Sequence, residues 1–396
     1  MNAGHVFTIL SPLLRPLSLP YAMLMAKRRS LYERGILSSF IPRCPCVAVG
    51  NIAWGGTGKT PFTAWLLAWA GQQGLKAVVL TRGFGGKPGK KPLLVQANTR
   101  PEQSGDEPLM LAQAFPKASI LAFPRRRDAA RYAQNYLAPD MFILDDGMQH
   151  LDMGRDADIV LLRPEDLDDE WNRVIPAGSW REGESALRVA SAFAVKANAD
   201  EFARLTPLAE KHLSRFNRGL FSFTLTPCGL RPLLNTFEKH PGQCRKPEDR
   251  DKPDHAPEQN AYPHRPPLLD EREYHGRPYI LVSGVGNPAH VEKSALSLMG
   301  RSPERHFAFA DHHHYSTADV QAIVTLSDQP LPVLCTGKDA VKLRAFHRQW
   351  AGIHVWVMET ELRFGPCLFC DFTFPQWWAT WWHTRHDTAA ARQGAC

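Results

Sequence analysis

The chain lacks an uninterrupted apolar run of the ~20 residues needed to cross a bilayer. Residues 6–26 come nearest, but Pro12, Arg15, Pro16 and Pro20 interrupt them. No clean cleavage site follows, and the positive charges lie after the apolar stretch, so a plain signal peptide is excluded. Its eight cysteines show no disulfide-framework spacing. The close pairs Cys44/Cys46 and Cys367/Cys370 have no further ligands at zinc spacing, so reduced thiols in a cytosolic protein are expected. There is no internal repeat and no DNA- or RNA-binding motif. One more absence concerns Gly50-Asn51-Ile52-Ala53-Trp54-Gly55-Gly56-Thr57-Gly58-Lys59-Thr60. This stretch ends like a phosphate loop, yet Ala53 stands where G-x-x-x-x-G-K-[ST] has its first glycine.

What is present describes a globular protein of about two domains: 396 residues, 44% hydrophobic and 22% charged. The net charge of +7 suits an anionic partner, whether nucleic acid, phospholipid surface or phosphorylated substrate. From Pro20 a helix is expected with Tyr21, Leu24, Met25, Leu31 and Tyr32 on one face, where Arg28 would have to snorkel. Lys27, Arg29, Arg34 and Arg43 add charge. Two readings stand: an interfacial anchor on an anionic membrane, or a helix packed on the protein's own core.

Short apolar runs at 46–49, 77–80, 120–122, 141–144 and 159–162 alternate with helical stretches at 61–70, 108–114 and 127–137. That alternation predicts an α/β fold with a parallel sheet covered on both faces. A second, smaller α/β unit follows, with strands at 279–283 and 331–336 and a helix at 289–299. The expected divisions are an N-terminal segment 1–43, a phosphate-loop core 44–215 and a C-terminal domain 216–396. Residues 240–276 are nearly devoid of aliphatic side chains before Leu268 and read as a disordered or loop insertion. The tail carries Trp377, Trp378, Trp381 and Trp382, which suits either a membrane interface or packing against the C-terminal domain.

The glycine loop follows a strand and opens a helix, the context that a phosphate site requires. Amides of Gly55, Gly56, Thr57, Gly58, Lys59 and Thr60 would cradle phosphate oxygens, with Lys59 reaching the β/γ-phosphates and Thr60 facing Mg²⁺. Gly55 and Gly56 are expected to supply the backbone freedom that Ala53 does not. Ile143-Leu144-Asp145-Asp146-Gly147 is an apolar strand ending in acids, so Asp145 and Asp146 are candidate metal-side residues. Gly105-Asp106-Glu107-Pro108 opens a helix, where acids also act as ordinary caps. His312, His313 and His314 cannot all face one metal; they are a solvated turn or contain a catalytic histidine. Arg125-Arg126-Arg127 could meet phosphates or simply start a solvated helix. The segments 81–86 and 176–182 should line the same carboxyl edge of the sheet.

In this order the pieces resemble the tetraacyldisaccharide 4′-kinase family of lipid A biosynthesis, over about Leu17 to Arg344 without the insertion. Further segments carry the resemblance: Met148-Gln149-His150, Arg155-Asp156, Pro176-Ala177-Gly178, Arg181-Glu182, Gly284-Val285-Gly286-Asn287-Pro288 and Thr336-Gly337-Lys338-Asp339. The resemblance implies a P-loop NTPase-like core that uses ATP and Mg²⁺. It implies transfer of the γ-phosphate to the 4′-hydroxyl of a tetraacyldisaccharide 1-phosphate, giving lipid IVA. It further implies a peripheral or monotopic N-terminal helix at the cytoplasmic face of the inner membrane; with no DNA- or RNA-binding motif, no nucleic-acid partner is expected. By resemblance Asp106 matches the general base and His312 its partner, alongside Lys59; closure of the two units would assemble that pair. In the family the first glycine of the loop is also replaced by a small residue. Two departures stand out: Gly337 replaces a glutamate, and Arg163 to Ile175 is acidic where the family is Gly/Asn-rich. The competing classes are a phosphate-loop regulatory switch and a membrane-binding module without catalysis.

Overall fold

The computed structural model describes residues 3–233, 268–326 and 330–393. The chain forms two compact units, the described parts of 1–226 with 361–396, and those of 227–360. Residues 361–393 therefore belong with the phosphate loop rather than with the C-terminal unit.

The first unit begins with helix α1 (Ala3–Glu33), which runs through the three prolines instead of starting at Pro20. Strands β1 (Cys46–Asn51), β2 (Ala77–Thr81), β3 (Leu93–Val95), β4 (Ser119–Ala122), β5 (Met141–Asp145), β6 (Ala157–Leu162) and β7 (Ala192–Lys196) follow. They alternate with α2 (Lys59–Gln72), α3 (Pro101–Ser104), α4 (Asp106–Ala114), α5 (Arg126–Tyr136), α6 (Pro164–Leu167) and α7 (Ala199–Leu213). Including the start of β8 (Leu220–Pro232), the strand order is β8-β7-β6-β1-β5-β2-β4-β3. All neighbours run parallel except the β3/β4 pair. β1, β2, β5 and β6 are buried along their whole length, as expected of parallel strands covered on both faces.

In the second unit, β9 (Ile280–Ser283), α9 (Pro288–Met299) and β11 (Val333–Thr336) lie where their apolar runs put them. Around them are α8 (Glu271–Tyr274), β10 (Arg305–Ala308), α10 (Thr317–Val324), α11 (Gly337–Leu343) and β12 (Val355–Leu368), with strand order β10-β9-β11-β12. The expected insertion lies mostly outside the described residues. Its end does not fit the expectation, because Asp270 and Glu273 form a reciprocal cap on α8 and Tyr274 is buried.

The tail forms α12 (Phe374–Gln393). It packs on the first unit: Trp69 of α2 meets Trp378 and Trp382, each at 5.3 Å between ring centroids, and Phe62 meets Phe374 at 4.9 Å. This accounts for α2 being apolar on more than one side. Of the two tail readings, packing holds for Trp378 and Trp382, though the surface covered belongs to the first unit.

Candidate phosphate-transfer site

Register explains why the site sits where it does. β1 lies between β5 and β6, and Val49 pairs with Asp145, so the acidic strand end is beside the start of the glycine loop. The loop then turns into α2, whose first amides are free to face an anion.

Ala53 causes no defect because its backbone is not in the left-handed region. It pairs instead with Trp180 in an isolated bridge, flanked by Trp54 N–H to Ser179 O (2.9 Å) and Arg181 N–H to Ile52 O (2.8 Å). The first half of the loop is thus strapped to residues 179–181. Positive φ occurs later, at Gly55 (+119°) and Gly58 (+89°). The expected role of Gly56 is corrected accordingly: Gly55 and Gly58, not Gly55 and Gly56, supply the special conformations.

Lys59 donates to Asn51 Oδ1 at 3.0 Å and lies 3.7 Å from Asp146. Arg181 grips Asp146 with both terminal nitrogens (3.1 and 3.0 Å) and also donates to Asn51 O and Oδ1. Burial opposes charge on Asp146, but Arg181 and Lys59 prevail and hold its pKa down to about 2. Asp145 is the opposite case. Burial, then Glu107 and Asp146, push it up to about 7 against the pull of Lys59 and Arg126. Its Oδ2 accepts from Thr81 at 3.3 Å, while Oδ1 is buried with no partner among the described residues. Thr57 Oγ1 is likewise buried and has none among them. An orphaned carboxylate oxygen crowded by like charge is what a divalent cation would satisfy, so Asp145 beside the loop fits Mg²⁺.

Asp106 is buried at the start of α4. Gly105 before it has φ +84°, and a Cβ there would run into the Phe84 carbonyl oxygen. Lys87 N–H reaches Glu102 O at 2.9 Å, so the loop after β2 is held to α3, the turn of helix just before α4. Arg126 is the buried member of the basic run, correcting the solvated reading for that residue. Its guanidinium donates to Pro124 O and, at 3.5 Å, to Asp145 O, and burial lowers its pKa to about 10. Arg155 braces the turn after β5 through the carbonyls of Gly147, Met148 and His150 and an ion pair with Asp158.

In the second unit the three histidines separate. His313 stacks on Phe309 (4.4 Å) and bonds Asp319, which makes it part of the turn. His314 is exposed. His312, with φ +60°, has its Nε2 3.1 Å from Lys338 Nζ, and Lys338 also pairs with Asp311. Asp339 is fully buried and accepts from Gly284 N–H, Tyr315 OH and Thr336 Oγ1, tying together three of the motif segments.

The sequence assigns no role to Asn51, Arg181 or Glu107, and does not single out Arg126 from Arg125 and Arg127. Nothing in one sequence distinguishes them from solvated residues; their neighbours come from separate segments.

The tetraacyldisaccharide-1-P 4′-kinase family matches residues 10–371. The chain belongs to that family. It is 44% identical over 382 residues to a tetraacyldisaccharide 4′-kinase of Nitratidesulfovibrio vulgaris, covering 96% of this chain and 97% of that protein. It is 42% identical over 380 residues to the enzyme of that name from Oleidesulfovibrio alaskensis, covering 94% and 96%. Among solved structures it is similar to LpxK from Aquifex aeolicus in complex with ATP, with a TM-score of 0.66, 25% identity, and 90% and 95% of the two chains covered.

Proposed function

We infer that this protein is a tetraacyldisaccharide 4′-kinase, a phosphotransferase with an alcohol acceptor that uses ATP to phosphorylate the 4′ position of the lipid A precursor. One observation carries the reading: a strapped phosphate loop lies beside an acid whose buried oxygen lacks a partner among the described residues, in a chain matched by the family along nearly its whole length.

Within that activity, residues 55–60 form the triphosphate cradle, with Lys59 on the transferring group. Lys59 would leave Asp146 for the phosphate, while Arg181 keeps Asp146 ionised. Asp145, Asp146 and Thr60 would hold Mg²⁺, which would neutralise charge on the phosphoryl oxygens when bound. Asp106 is proposed as the base that takes the acceptor hydroxyl's proton, and His312 as its partner.

The membrane assignment is also proposed. Among the described residues no helix is long and apolar enough to cross a membrane. α1 seats Ser18, Tyr21, Ala22 and Arg29 against the first unit and leaves Leu17, Leu19, Met23 and Leu24 exposed. The outward set therefore differs from the expected one: of the predicted face, Tyr21 turns inward and Leu24 outward. Exposed apolar residues beside Arg15 and Lys27 suit an anionic lipid interface, here the cytoplasmic face of the inner membrane.

The test is direct. Incubated with ATP, Mg²⁺ and tetraacyldisaccharide 1-phosphate, the protein should yield a product carrying one more phosphate. Nucleotide hydrolysis indifferent to the lipid, with no such product, would reject the kinase in favour of a switch.

A further inference from the structure

The acidic segment between β6 and the strap departs from the family's Gly/Asn-rich signal, and the structure gives it a task. Asp166 is fully buried. It accepts from Arg163 N–H (2.8 Å), Nε (3.2 Å) and NH2 (2.7 Å), and from Trp180 Nε1 (3.0 Å). Arg163 NH2 also donates to Ser179 Oγ at 2.8 Å, and Ser179 in turn donates to Glu170 through both N–H (3.1 Å) and Oγ (2.9 Å). Ser179 and Trp180 are residues of the strap on Ile52–Trp54. Arg163 therefore bears on the phosphate loop through the strap and by lying beside Gly55. It holds the strap through Ser179 and Asp166, and its NH1 is 3.6 Å from where a Cβ on Gly55 would lie.

A second polar cluster, in the other unit, is closed to substrate. Ser283 Oγ, His306 and Glu292 form a serine–histidine–acid relay at 2.8 and 3.1 Å, but Ser283 is fully buried, so no substrate carbonyl reaches it.

We propose that Arg163 and Asp166 are positioning residues of the phosphate loop, a clasp that sets the affinity for the triphosphate. The proposal rests on the kinase reading and adds an element to it. With Ala53 in place of a glycine, the shape of the loop's first half depends on the strap. The strap depends on Asp166, whose charge is balanced by Arg163. A loose strap would let the amides of residues 55–58 drift from the phosphate oxygens, and the cost would fall on nucleotide binding.

The test compares Arg163→Ala, Arg163→Lys and Asp166→Asn with the natural protein by calorimetric titration with Mg²⁺–ATP, steady-state kinetics and thermal unfolding. Asp166→Asn keeps an acceptor for Trp180 but removes the charge. Arg163→Ala and Asp166→Asn should each weaken ATP binding about tenfold, with a smaller change in KM for the lipid acceptor. Arg163→Lys should restore part of the loss. The double variant should be no worse than either single one, because the two act as a unit. A lower Tm with ATP affinity unchanged would overturn the proposal, as would a rise confined to the acceptor's KM. Should Arg163→Ala not fold, the other two variants decide between these outcomes. Failure of the kinase reading looks different: the natural protein binds ATP and makes no phosphorylated lipid.

Discussion

Arg29 of α1 forms a buried ion pair with Glu182, the residue that follows Arg181. Three N–H···O contacts of 2.9 to 3.1 Å join them, and Arg29 NH2 also reaches Met148 O at 3.4 Å. The helix bearing the exposed apolar residues is therefore fastened to the strap and to the turn after β5. Arg28 adds a bond to Gln149 O, so the arginine expected to snorkel is instead directed inward.

Removing one partner leaves a buried charge unpaired. Arg29→Ala should destabilise the protein by about 3–5 kcal/mol, while replacing both Arg29 and Glu182 by apolar residues of similar volume should cost far less. Chemical unfolding of the two variants checks this. Equal losses would mean that the pair is effectively solvated.

Asp145 predicts an inverted pH dependence for the nucleotide-free protein. Its folded pKa, about 7, is above the unfolded value, so between roughly pH 4 and pH 7 the folded state holds the extra proton. Stability from this group is full below pH 4 and declines as pH rises through 7. Asp145→Asn should thus raise Tm by a few degrees at pH 8, have little effect near pH 4, and lower phosphotransfer at both limits of the active range. A variant less stable at pH 8 would contradict the crowded-carboxylate account.

How much of this was readable in advance depends on whether a feature is local. β1, the glycine loop, α2 and the acid at the end of β5 each carry their signal within a dozen residues, and the sheet follows from their alternation. Ala53 looked like a defect because its compensation, the bridge to Trp180, is more than a hundred residues away. Separation in sequence also hid Arg126, 19 positions from Asp145, and Arg29, 153 positions from Glu182: a basic residue reads as solvated until its acceptor is located. The tail's tryptophans suited a membrane interface as well as packing on the C-terminal domain, and only the fold reveals that Trp378 and Trp382 cover α2.

Lys59 and Arg181 share Asp146 but should fail differently. Lys59→Ala should lower kcat by at least about a hundredfold, since its charge is needed on the transferring phosphoryl group. Arg181→Ala should also bring back the proton kept off Asp146, moving the acidic limb of the kcat/KM profile upward by more than Lys59→Ala does, because the Arg181 hydrogen bond outweighs the Lys59 charge. Identical pH profiles for the two variants would refute this division of labour.

The exposed side of α1 predicts lipid dependence. Leu19→Ser, Met23→Ser and Leu24→Ser together should reduce sedimentation with anionic vesicles at least about fivefold, with Tm unchanged because these side chains are solvent-facing. Undiminished vesicle binding would remove α1 from the membrane contact.

Trp378 separates the apolar from the polar demands of the tail. Its ring is fully buried against Trp69, yet its Nε1 has no hydrogen-bond partner among the described residues. Trp378→Ala should cost about 3–5 kcal/mol, as large aromatic truncations in a packed core do. Trp378→Phe loses area but also removes an unsatisfied N–H that carries its own desolvation penalty. It should therefore cost less than half as much as the alanine variant. Guanidinium melts of both settle the comparison: if phenylalanine is as damaging as alanine, the indole N–H has a partner after all, and α12 is held to α2 by a polar contact as well as by packing.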